Sequence, residues 1–324
     1  MILRTELKIN PSGDHLRVSD PVFLIGSCFS GNIGNKLALS KFKVLVNPFG
    51  TIYNPFSIFE LIGKSVRGEW KTEEEDIVFN QDTYRHLGFH SSVSSTSKSG
   101  LTELATKSFS QTGEFLHQAQ WVIITFGTAV IYSWNRTGRV AANCHKLPAG
   151  EFNKRFLSID EIQDQFDKIH RLLTGINNEL KIILTVSPVR HLKEGFENNQ
   201  FSKSVLGVAC RNLVSRFSNV HYFPAYEIMI DDLRDYRFYE EDLVHPNAQA
   251  TGYIWEKFCQ TYMDEPTRDF IRDWDRVLKA IHHRPFHPET GEYKKFIRQT
   301  LEQLQSFKDK VDISEELKIL TGQL

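Results

Sequence analysis

Five short, largely apolar runs, each followed by a segment with helical character, constrain the fold of this chain more than any other feature. Short apolar runs bounded by turn residues are typical of strands that are buried on both faces. Strands that alternate with helices build a parallel sheet with helices on both sides. We therefore predict a doubly wound, mostly parallel α/β sheet, with strands at residues 22–25, 42–46, 121–126, 181–186 and 220–223.

The segments between these runs divide into helices and excursions. Residues 66–100 are polar and irregular, and we interpret them as an excursion over the end of the sheet. Residues 132–157 form a second excursion. The remaining connections have apolar residues at helical spacing. They predict helices at residues 31–39, 56–65, 101–119, 159–180, 204–218 and 247–262.

The last part of the chain differs in composition from the rest. Dense charge there accompanies an apolar stripe at helical spacing that includes Phe270, Trp274 and Ile281. We predict an α/β domain over residues 1–264 and a helical extension over residues 265–324. The stripe is expected to pack on the core or on a second copy of the chain, which makes a homo-oligomer possible.

Charge and cysteine content exclude several functional classes. The net charge of −1 leaves no electrostatic footprint for nucleic acid or for an anionic membrane. The first residues carry charges where a signal peptide needs an apolar core, and no run reaches the ~20 apolar residues that span a bilayer. The four cysteines lack CxxC pairing. We expect a cytoplasmic protein with reduced thiols, no membrane insertion and no nucleic-acid partner.

The sequence does not indicate a cofactor or a metal. It contains no P-loop, and the first strand is not followed by a glycine-rich dinucleotide fingerprint. His86 and His90 have the i, i+4 spacing of a zinc-binding pair, but Gly88 between them disfavours the helix that such a pair requires. We therefore expect chemistry that side chains carry alone.

The turn after the first strand is the first candidate catalytic feature. There the apolar run ends in Gly26-Ser27-Cys28 and then becomes polar and glycine-rich. A sharp strand-to-helix turn exposes a side chain and directs helix N–H groups at a developing charge. Ligands of such sheets bind beyond the carboxyl ends of the strands. Read alone, the segment is also compatible with an ordinary structural turn.

A second feature, near the other end of the domain, strengthens the first. Asp242 and His245 lie three residues apart, just before a predicted helix. This spacing lets the carboxylate accept from one imidazole nitrogen while the other nitrogen faces a nucleophile. The alternative interpretation is a helix cap beside a surface histidine.

Together the two motifs resemble the SGNH/GDSL hydrolase superfamily, with a nucleophile after the first strand and Asp-x-x-His before the last helix. The closer resemblance is to the GSCFA family, whose signature is here Gly26-Ser27-Cys28-Phe29-Ser30. It covers residues 5–260 and implies a flavodoxin-like three-layer fold. Further segments resemble the family in the same order: Asn47-Pro48-Phe49-Gly50-Thr51-Ile52-Tyr53-Asn54-Pro55, Thr125-Phe126-Gly127-Thr128, Thr185-Val186-Ser187-Pro188-Val189-Arg190-His191 and Tyr236-Arg237-Phe238-Tyr239.

The resemblance leaves two candidates for the nucleophile. Alignment of the turn on the Gly-Asp-Ser of GDSL enzymes places Cys28 in the nucleophile position, and related capsule-biosynthesis acyltransferase-like proteins carry Gly-Asn-Cys there. A cysteine at a helix N-terminus beside a histidine is in a setting that populates the thiolate. Ser27 is the second candidate, and a non-catalytic turn is the third interpretation.

The resemblance also implies an oxyanion hole, in which this sequence departs from the superfamily. SGNH enzymes use the N–H of the nucleophile, a glycine after the second strand and an asparagine in a Gly-x-Asn segment. Gly50 fits the glycine, whereas residues 127–129 read Gly-Thr-Ala, so Thr128 is the candidate replacement for the asparagine. Residues predicted on the loop after strand 181–186 are candidates for substrate contact: Ser187, His191, Asn199 and Lys203.

Three functions remain open. The first is hydrolysis of an unidentified small-molecule or carbohydrate ester, or of a thioester, by a Cys/Ser–His–Asp site. The second is transfer of an acyl group from acyl-CoA to a sugar hydroxyl. The third is a binding or scaffold protein that kept the hydrolase fold without its chemistry. The missing asparagine favours the third, and the retained Asp242 and His245 disfavour it.

Overall fold

The computed structural model of the protein describes residues 5–71 and 73–323. Its centre is a five-stranded sheet in which all neighbouring strands are parallel. Counted along the chain, the strands of this sheet lie in the order 2-1-3-4-5, which is the flavodoxin-like order of doubly wound folds. The predicted doubly wound α/β sheet is therefore confirmed. Its strands are, in spatial order, 44–46, 22–26, 121–126, 181–186 and 220–223.

The described part of the chain contains eleven strands and ten helices. The strands are β1 (Val22–Gly26), β2 (Val44–Val46), β3 (Ile77–Asn80), β4 (Thr83–His86), β5 (Ser94–Ser95), β6 (Trp121–Phe126), β7 (Val130–Trp134), β8 (Val140–Ala141), β9 (Phe152–Phe156), β10 (Lys181–Val186) and β11 (Val220–Phe223). The helices are α1 (Cys28–Leu39), α2 (Pro55–Arg67), α3 (Lys98–Gln118), α4 (Ile159–Ile176), α5 (Phe196–Arg216), α6 (Ala225–Glu227), α7 (Ala248–Tyr262), α8 (Glu265–Ile281), α9 (Gly291–Gln305) and α10 (Ser314–Thr321). None of these helices combines the length and apolar character needed to cross a membrane.

The central sheet is buried on both faces, which explains why its strands are continuous apolar runs. Phe23 and Ile25 of β1 belong to one hydrophobic core, which also contains residues of α2, α3, α4 and α5. Val22 and Leu24 belong to a second core, with residues of α1 and α7. Because alternate strand residues point to opposite faces, each core lies between the sheet and one helical layer. The domain thus has three layers.

The two excursions are more regular than the sequence indicates. Residues within 66–100 form the antiparallel sheet β3–β4–β5, and residues within 132–157 contribute to the antiparallel sheet β8–β7–β9. The hairpin between β3 and β4 turns through Gln81 and Asp82, which have φ values of 52° and 57°. Two consecutive left-handed residues form the tight turn that a two-residue hairpin requires. The prediction that residues 66–100 are irregular was therefore wrong.

Helix α5 also differs from its prediction. It begins at Phe196, directly after Gly195 with φ 87°, and not at residue 204. Asn199 and Lys203 therefore lie in this helix, and their predicted placement on the loop after β10 was wrong. Both side chains are buried, so they face the core side of the helix and not the solvent.

The C-terminal helices form a small core of their own. Phe270, Trp274 and Ile281 are buried. They pack with residues of α9 and α10, among them Leu304 of α9. Contacts with the α/β domain include Trp274, whose Nε1 donates to the Leu39 carbonyl at 2.8 Å, and Glu316 of α10, which pairs with Lys41 at 2.8 Å. The predicted apolar stripe therefore exists, and it is covered mainly by the neighbouring helices of the same extension.

A substitution at Trp274 tests how this extension is held. Trp274 is 1% exposed, and truncation of such a large buried side chain costs about 3–5 kcal/mol. We expect Trp274→Ala to lower the free energy of unfolding by that amount in urea denaturation. Trp274→Phe is the matched control, because it keeps an aromatic ring and loses the Nε1 hydrogen bond, worth about 1 kcal/mol. Unchanged melting temperature and oligomeric state after removal of residues 265–324 would contradict a packing role.

Candidate active site

The turn between β1 and α1 is held against the next strand of the sheet. Gly26 has φ 144°, and a Cβ atom at this position would lie 2.1 Å from the Thr125 carbonyl oxygen of β6. The N–H of Ser27 donates to the same carbonyl at 3.1 Å. Any side chain at position 26 would therefore separate the two strands. Glycine is needed here because the chain must turn while it touches β6.

Ser27 has a structural role in this turn. Its Oγ accepts from the N–H of Phe29 at 3.3 Å, so it is the N-cap of α1. The residue is 2% exposed, and its carbonyl accepts from the N–H of Ser30. Since its hydroxyl is occupied and shielded, Ser27 is poorly placed to meet a substrate. These contacts favour Cys28 of the two nucleophile candidates.

Cys28 begins α1 and is partly exposed. The first N–H groups of a helix have no partner within the helix, so the Cys28 amide is suited to bind an anion. The Cys28 Sγ lies 3.7 Å from the Tyr53 Oη. Burial, followed by the effect of the nearby Cys28 thiol, raises the pKa of Tyr53, which keeps its hydroxyl protonated. Tyr53 lies within the family-like segment 47–55, but no motif in the sequence distinguishes it as a site residue.

Asp242 and His245 form the expected carboxylate–imidazole pair. The distance between Asp242 Oδ2 and His245 Nδ1 is 2.6 Å. The other carboxylate oxygen accepts from the backbone N–H groups of Val244 and His245, both at 2.9 Å. Hydrogen bonds lower the pKa of Asp242 to about 2. The largest effect comes from the backbone N–H of His245, followed by the His245 side chain and then by the backbone N–H of Val244. An ionised carboxylate only accepts, so His245 carries its proton on Nδ1 and leaves Nε2 free to take one.

The local backbone explains how the pair is formed. Leu243 has φ 57°, which turns the chain so that one Asp242 oxygen reaches two successive amides. A backbone hydrogen bond closes this segment: the N–H of Glu240 donates to the His245 carbonyl at 2.8 Å. Asn247 then caps α7 by accepting from the N–H of Ala250 at 3.0 Å. The motif is therefore a rigid turn and not a frayed helix end.

The loop after β10 connects the two parts of the site. The N–H of Arg190 donates to the Val244 carbonyl at 3.4 Å, next to His245. The imidazole ring of His191 lies 6.3 Å from the ring of Tyr53, which in turn contacts Cys28. Among the described residues, no hydrogen bond joins Cys28 directly to His245. The two are linked through Tyr53 and this loop.

The predicted oxyanion donors Gly50 and Thr128 are already engaged. The N–H of Gly50 donates to the Asn47 carbonyl at 2.8 Å within a tight turn. The N–H of Thr128 donates to the Tyr53 carbonyl at 3.1 Å. The Thr128 hydroxyl accepts from the N–H of Val130 and lies 3.1 Å from the Ser202 hydroxyl. The backbone N–H groups of both residues are therefore engaged in this conformation, and the Thr128 hydroxyl is buried.

Of the remaining substrate-contact candidates, Ser187 and Asn199 are buried, whereas His191 is partly exposed. Ser187 is 1% exposed, and its Oγ accepts from the N–H of Val189 at 3.3 Å. The Oδ1 of Asn199 accepts from the N–H of His191 at 2.8 Å and so holds the loop after β10. Burial, followed by the nearby charge of Lys203, lowers the pKa of His191, so this histidine is neutral at neutral pH. His191 is the most accessible of the three to a ligand, since the other two are buried.

Lys203 fastens the ends of two central strands to each other. Its buried Nζ donates to the Gly127 carbonyl after β6 at 2.9 Å and to the Ser187 carbonyl after β10 at 2.7 Å. Burial lowers the pKa of Lys203 to about 7, and the nearby Glu227 opposes this shift only partly. A neutral amine has two N–H donors, which matches the two carbonyls.

This lysine makes stability depend on pH. Between about pH 7 and the ordinary lysine pKa of ~10.4, the unfolded chain binds a proton at Lys203 that the folded chain does not. The free energy of unfolding therefore rises with pH across this window, by up to about 1 kcal/mol per unit. We expect urea denaturation to show this rise for the wild-type protein and a smaller rise for Lys203→Met. An equal rise in both proteins would show that another group titrates.

The ends of β1 and β6 lie at the point where the strand order reverses. The chain moves outward from β1 to β2 and then returns to β6 on the other side of β1. Ligands of open α/β sheets bind in the crevice beyond the carboxyl ends of the strands at such a switch point. Cys28 follows β1, and Gly127 follows β6. The candidate site therefore occupies the position that this architecture favours.

Comparison with known proteins shows the family of this chain. A model of the GSCFA family matches residues 21–258, which span β1 to α7 and contain Cys28, Asp242 and His245. A second model, described as the C-terminal domain of GSCFA domain proteins, matches residues 274–324. No curated protein matches the chain. Since the first match covers more than half of the sequence, the chain belongs to the GSCFA family.

Proposed function

We propose that this protein is an acyl-transfer enzyme of the SGNH hydrolase type, with Cys28 as nucleophile, His245 as general base and Asp242 as the orienting carboxylate. The observation that carries the proposal is the 2.6 Å hydrogen bond between Asp242 and His245, in a segment bonded to the loop after β10. Both side chains of this pair are nearly half-exposed, so a substrate can reach them. The proposed substrate is a small-molecule or carbohydrate ester, or a thioester.

The first half of the reaction forms a thioester on the protein. His245 Nε2 accepts the thiol proton of Cys28, and Sγ attacks the carbonyl carbon of the substrate. The new C–S bond forms as the C=O π electrons move onto the oxygen and create an oxyanion. The oxyanion then collapses, the bond to the leaving group breaks, and the leaving group takes the proton from the His245 imidazolium.

The second half releases the acyl group. Water, or a sugar hydroxyl in the transfer reaction, attacks the thioester carbonyl while His245 Nε2 accepts its proton. The resulting oxyanion collapses, the C–S bond breaks, and Sγ leaves as a thiolate that recovers the proton from His245. Asp242 remains ionised throughout, because its pKa of about 2 lies below any practical assay pH. Hydrolysis and transfer therefore differ only in the acceptor.

A catalytically inactive binding protein is the second candidate function. The engaged donors of Gly50 and Thr128 favour it, because a weak oxyanion hole slows acyl transfer by about 10²–10³ for each lost donor. In that case the Asp242–His245 pair would serve only to cap the turn before α7.

Thiol labelling and a substrate screen separate these functions. We expect iodoacetamide at pH 7 to alkylate Cys28 faster than Cys144, whose pKa burial raises, and to spare the buried Cys210 and Cys259. Nitrophenyl esters of short acids and acyl-CoAs, with and without sugar acceptors, would then identify the acyl donor and the acceptor. An unreactive Cys28 and no turnover of any donor would favour the binding protein.

A further inference from the structure

The proposed site lacks one of the groups that acyl transfer requires. The Cys28 amide is one oxyanion donor, but the asparagine of related hydrolases is absent, and the N–H groups of Gly50 and Thr128 donate to the carbonyls of Asn47 and Tyr53. Donors must lie about 2.7–3.1 Å from the position that the oxyanion occupies. That oxygen forms on the carbon bonded to Sγ, so its donor must lie beside Sγ. Tyr53 is the side chain that meets this condition.

Tyr53 is held rigidly next to the nucleophile. Its carbonyl accepts from the N–H groups of Gly127 and Thr128, at 2.7 and 3.1 Å, and so ties segment 47–55 to the end of β6. The aromatic ring lies against Gly127, where an added Cβ would meet the Tyr53 Cδ1 at 3.0 Å. The chain thus packs the tyrosine ring against the segment in which related hydrolases carry their asparagine.

The Tyr53 hydroxyl also has the protonation state that an oxyanion donor needs. Burial raises its pKa, so it stays a neutral O–H donor at every pH at which the enzyme would work. Its Oη lies 3.7 Å from Sγ, within reach of an oxygen on the attacked carbon. A fixed donor of this kind stabilises charge without reorganisation when the charge develops.

We propose that the hydroxyl of Tyr53 donates a hydrogen bond to the oxyanion formed when Cys28 attacks its substrate, and thereby replaces the missing asparagine. This inference rests on the proposed function and adds a catalytic residue to it. No covalent bond to Tyr53 forms, and its proton stays on its oxygen. Gly127 acts as a positioning residue, because it leaves room for the tyrosine ring.

Tyr53→Phe tests the inference, since it removes one oxygen and keeps the ring. With p-nitrophenyl acetate as probe, we expect kcat for nitrophenolate release to fall by about 10²-fold with little change in KM. The pH profile of Cys28 alkylation by iodoacetamide should stay unchanged. Unaltered kcat would overturn the inference. A profile shifted to higher pH would also overturn it, because Tyr53 would then stabilise the thiolate and not the oxyanion.

Two further variants complete the test. Gly127→Ala places a methyl group against the Tyr53 ring, so we expect a smaller loss of kcat with normal alkylation of Cys28. Tyr253→Phe, in α7, removes a hydroxyl that donates to the buried carboxylate of Asp232 at 2.7 Å, and we expect full activity. If Tyr53→Phe is fully active and Cys28→Ala is inactive, the inference fails and the proposed function stands. A wild-type protein that the probe does not acylate would overturn both.

Discussion

Replacement of Cys28 by alanine is expected to abolish acyl transfer. The substitution removes the atom that forms the thioester, and loss of a nucleophile in such a site lowers kcat by about 10³–10⁶-fold. The fold should remain intact, because the cysteine is partly exposed and alanine is a strong helix former at the start of α1. Rates on the best substrate of the ester and acyl-CoA screen, together with mass spectrometry of the acylated protein, measure the effect. The wild-type protein should gain one acyl group, and the variant none.

Ser27→Ala is the matched control for this experiment. Its hydroxyl caps α1, so we expect a loss of stability of about 1 kcal/mol and retention of most activity. Cys28→Ser keeps the size of the side chain and removes the easily ionised thiol, so most of the rate should be lost as well. An active Cys28→Ala together with an inactive Ser27→Ala would reverse the assignment and make the protein a serine hydrolase.

The parts of the fold that sequence predicts well are those whose burial leaves a periodic signal. Strands β6, β10 and β11 have the predicted limits, because strands buried on both faces are continuous apolar runs between polar ends. Strands β4 and β5 of the small antiparallel sheets escape prediction, since they are short, partly exposed and polar. The start of α5 escapes it as well, because its first turns contain few apolar residues.

The candidate site likewise has features that the sequence predicts and features that it does not. Asp242 and His245 are three residues apart, so their pairing follows from local geometry that the sequence displays. The contact between Cys28 and Tyr53 joins the first residue of α1 to a loop residue 25 positions away, and only the folded structure brings them together. The engagement of the Gly50 amide depends on a turn with φ 72°, which spacing alone does not indicate. Long-range contacts and backbone turns thus account for what the sequence did not predict.

The position of Lys203 shows how the core supports this site. Its amine holds the carbonyls of Gly127 and Ser187, one at the end of β6 and one at the end of β10. The first of these segments carries the backbone contacts to Tyr53, and the second begins the loop that reaches Val244. A single buried group therefore fixes the spacing between the part of the site that contains Cys28 and the part that contains His245.

Loss of either member of the Asp242–His245 pair is expected to have an effect nearly as large as loss of Cys28. Asp242→Asn keeps the shape of the side chain, but an amide can donate to Nδ1 and so favour the wrong imidazole tautomer, which lowers kcat by about 10⁴-fold in a comparable triad. His245→Gln removes the base itself, and kcat should fall by a similar factor. Because the two act as a unit, the double variant should be no slower than either single one.

The rate of Cys28 alkylation distinguishes this role from a structural one. Without His245 the thiol loses the base that accepts its proton, so we expect alkylation by iodoacetamide at pH 7 to slow in His245→Gln. The exposed His282, on the C-terminal extension, provides the control substitution His282→Gln, which should alter neither alkylation nor turnover. If Asp242→Asn and His245→Gln turn over substrate at the wild-type rate while Cys28→Ala is inactive, another group takes the proton. His191, on the loop beside Tyr53, would then be the histidine to replace next, because its ring lies 6.3 Å from the tyrosine that contacts Cys28.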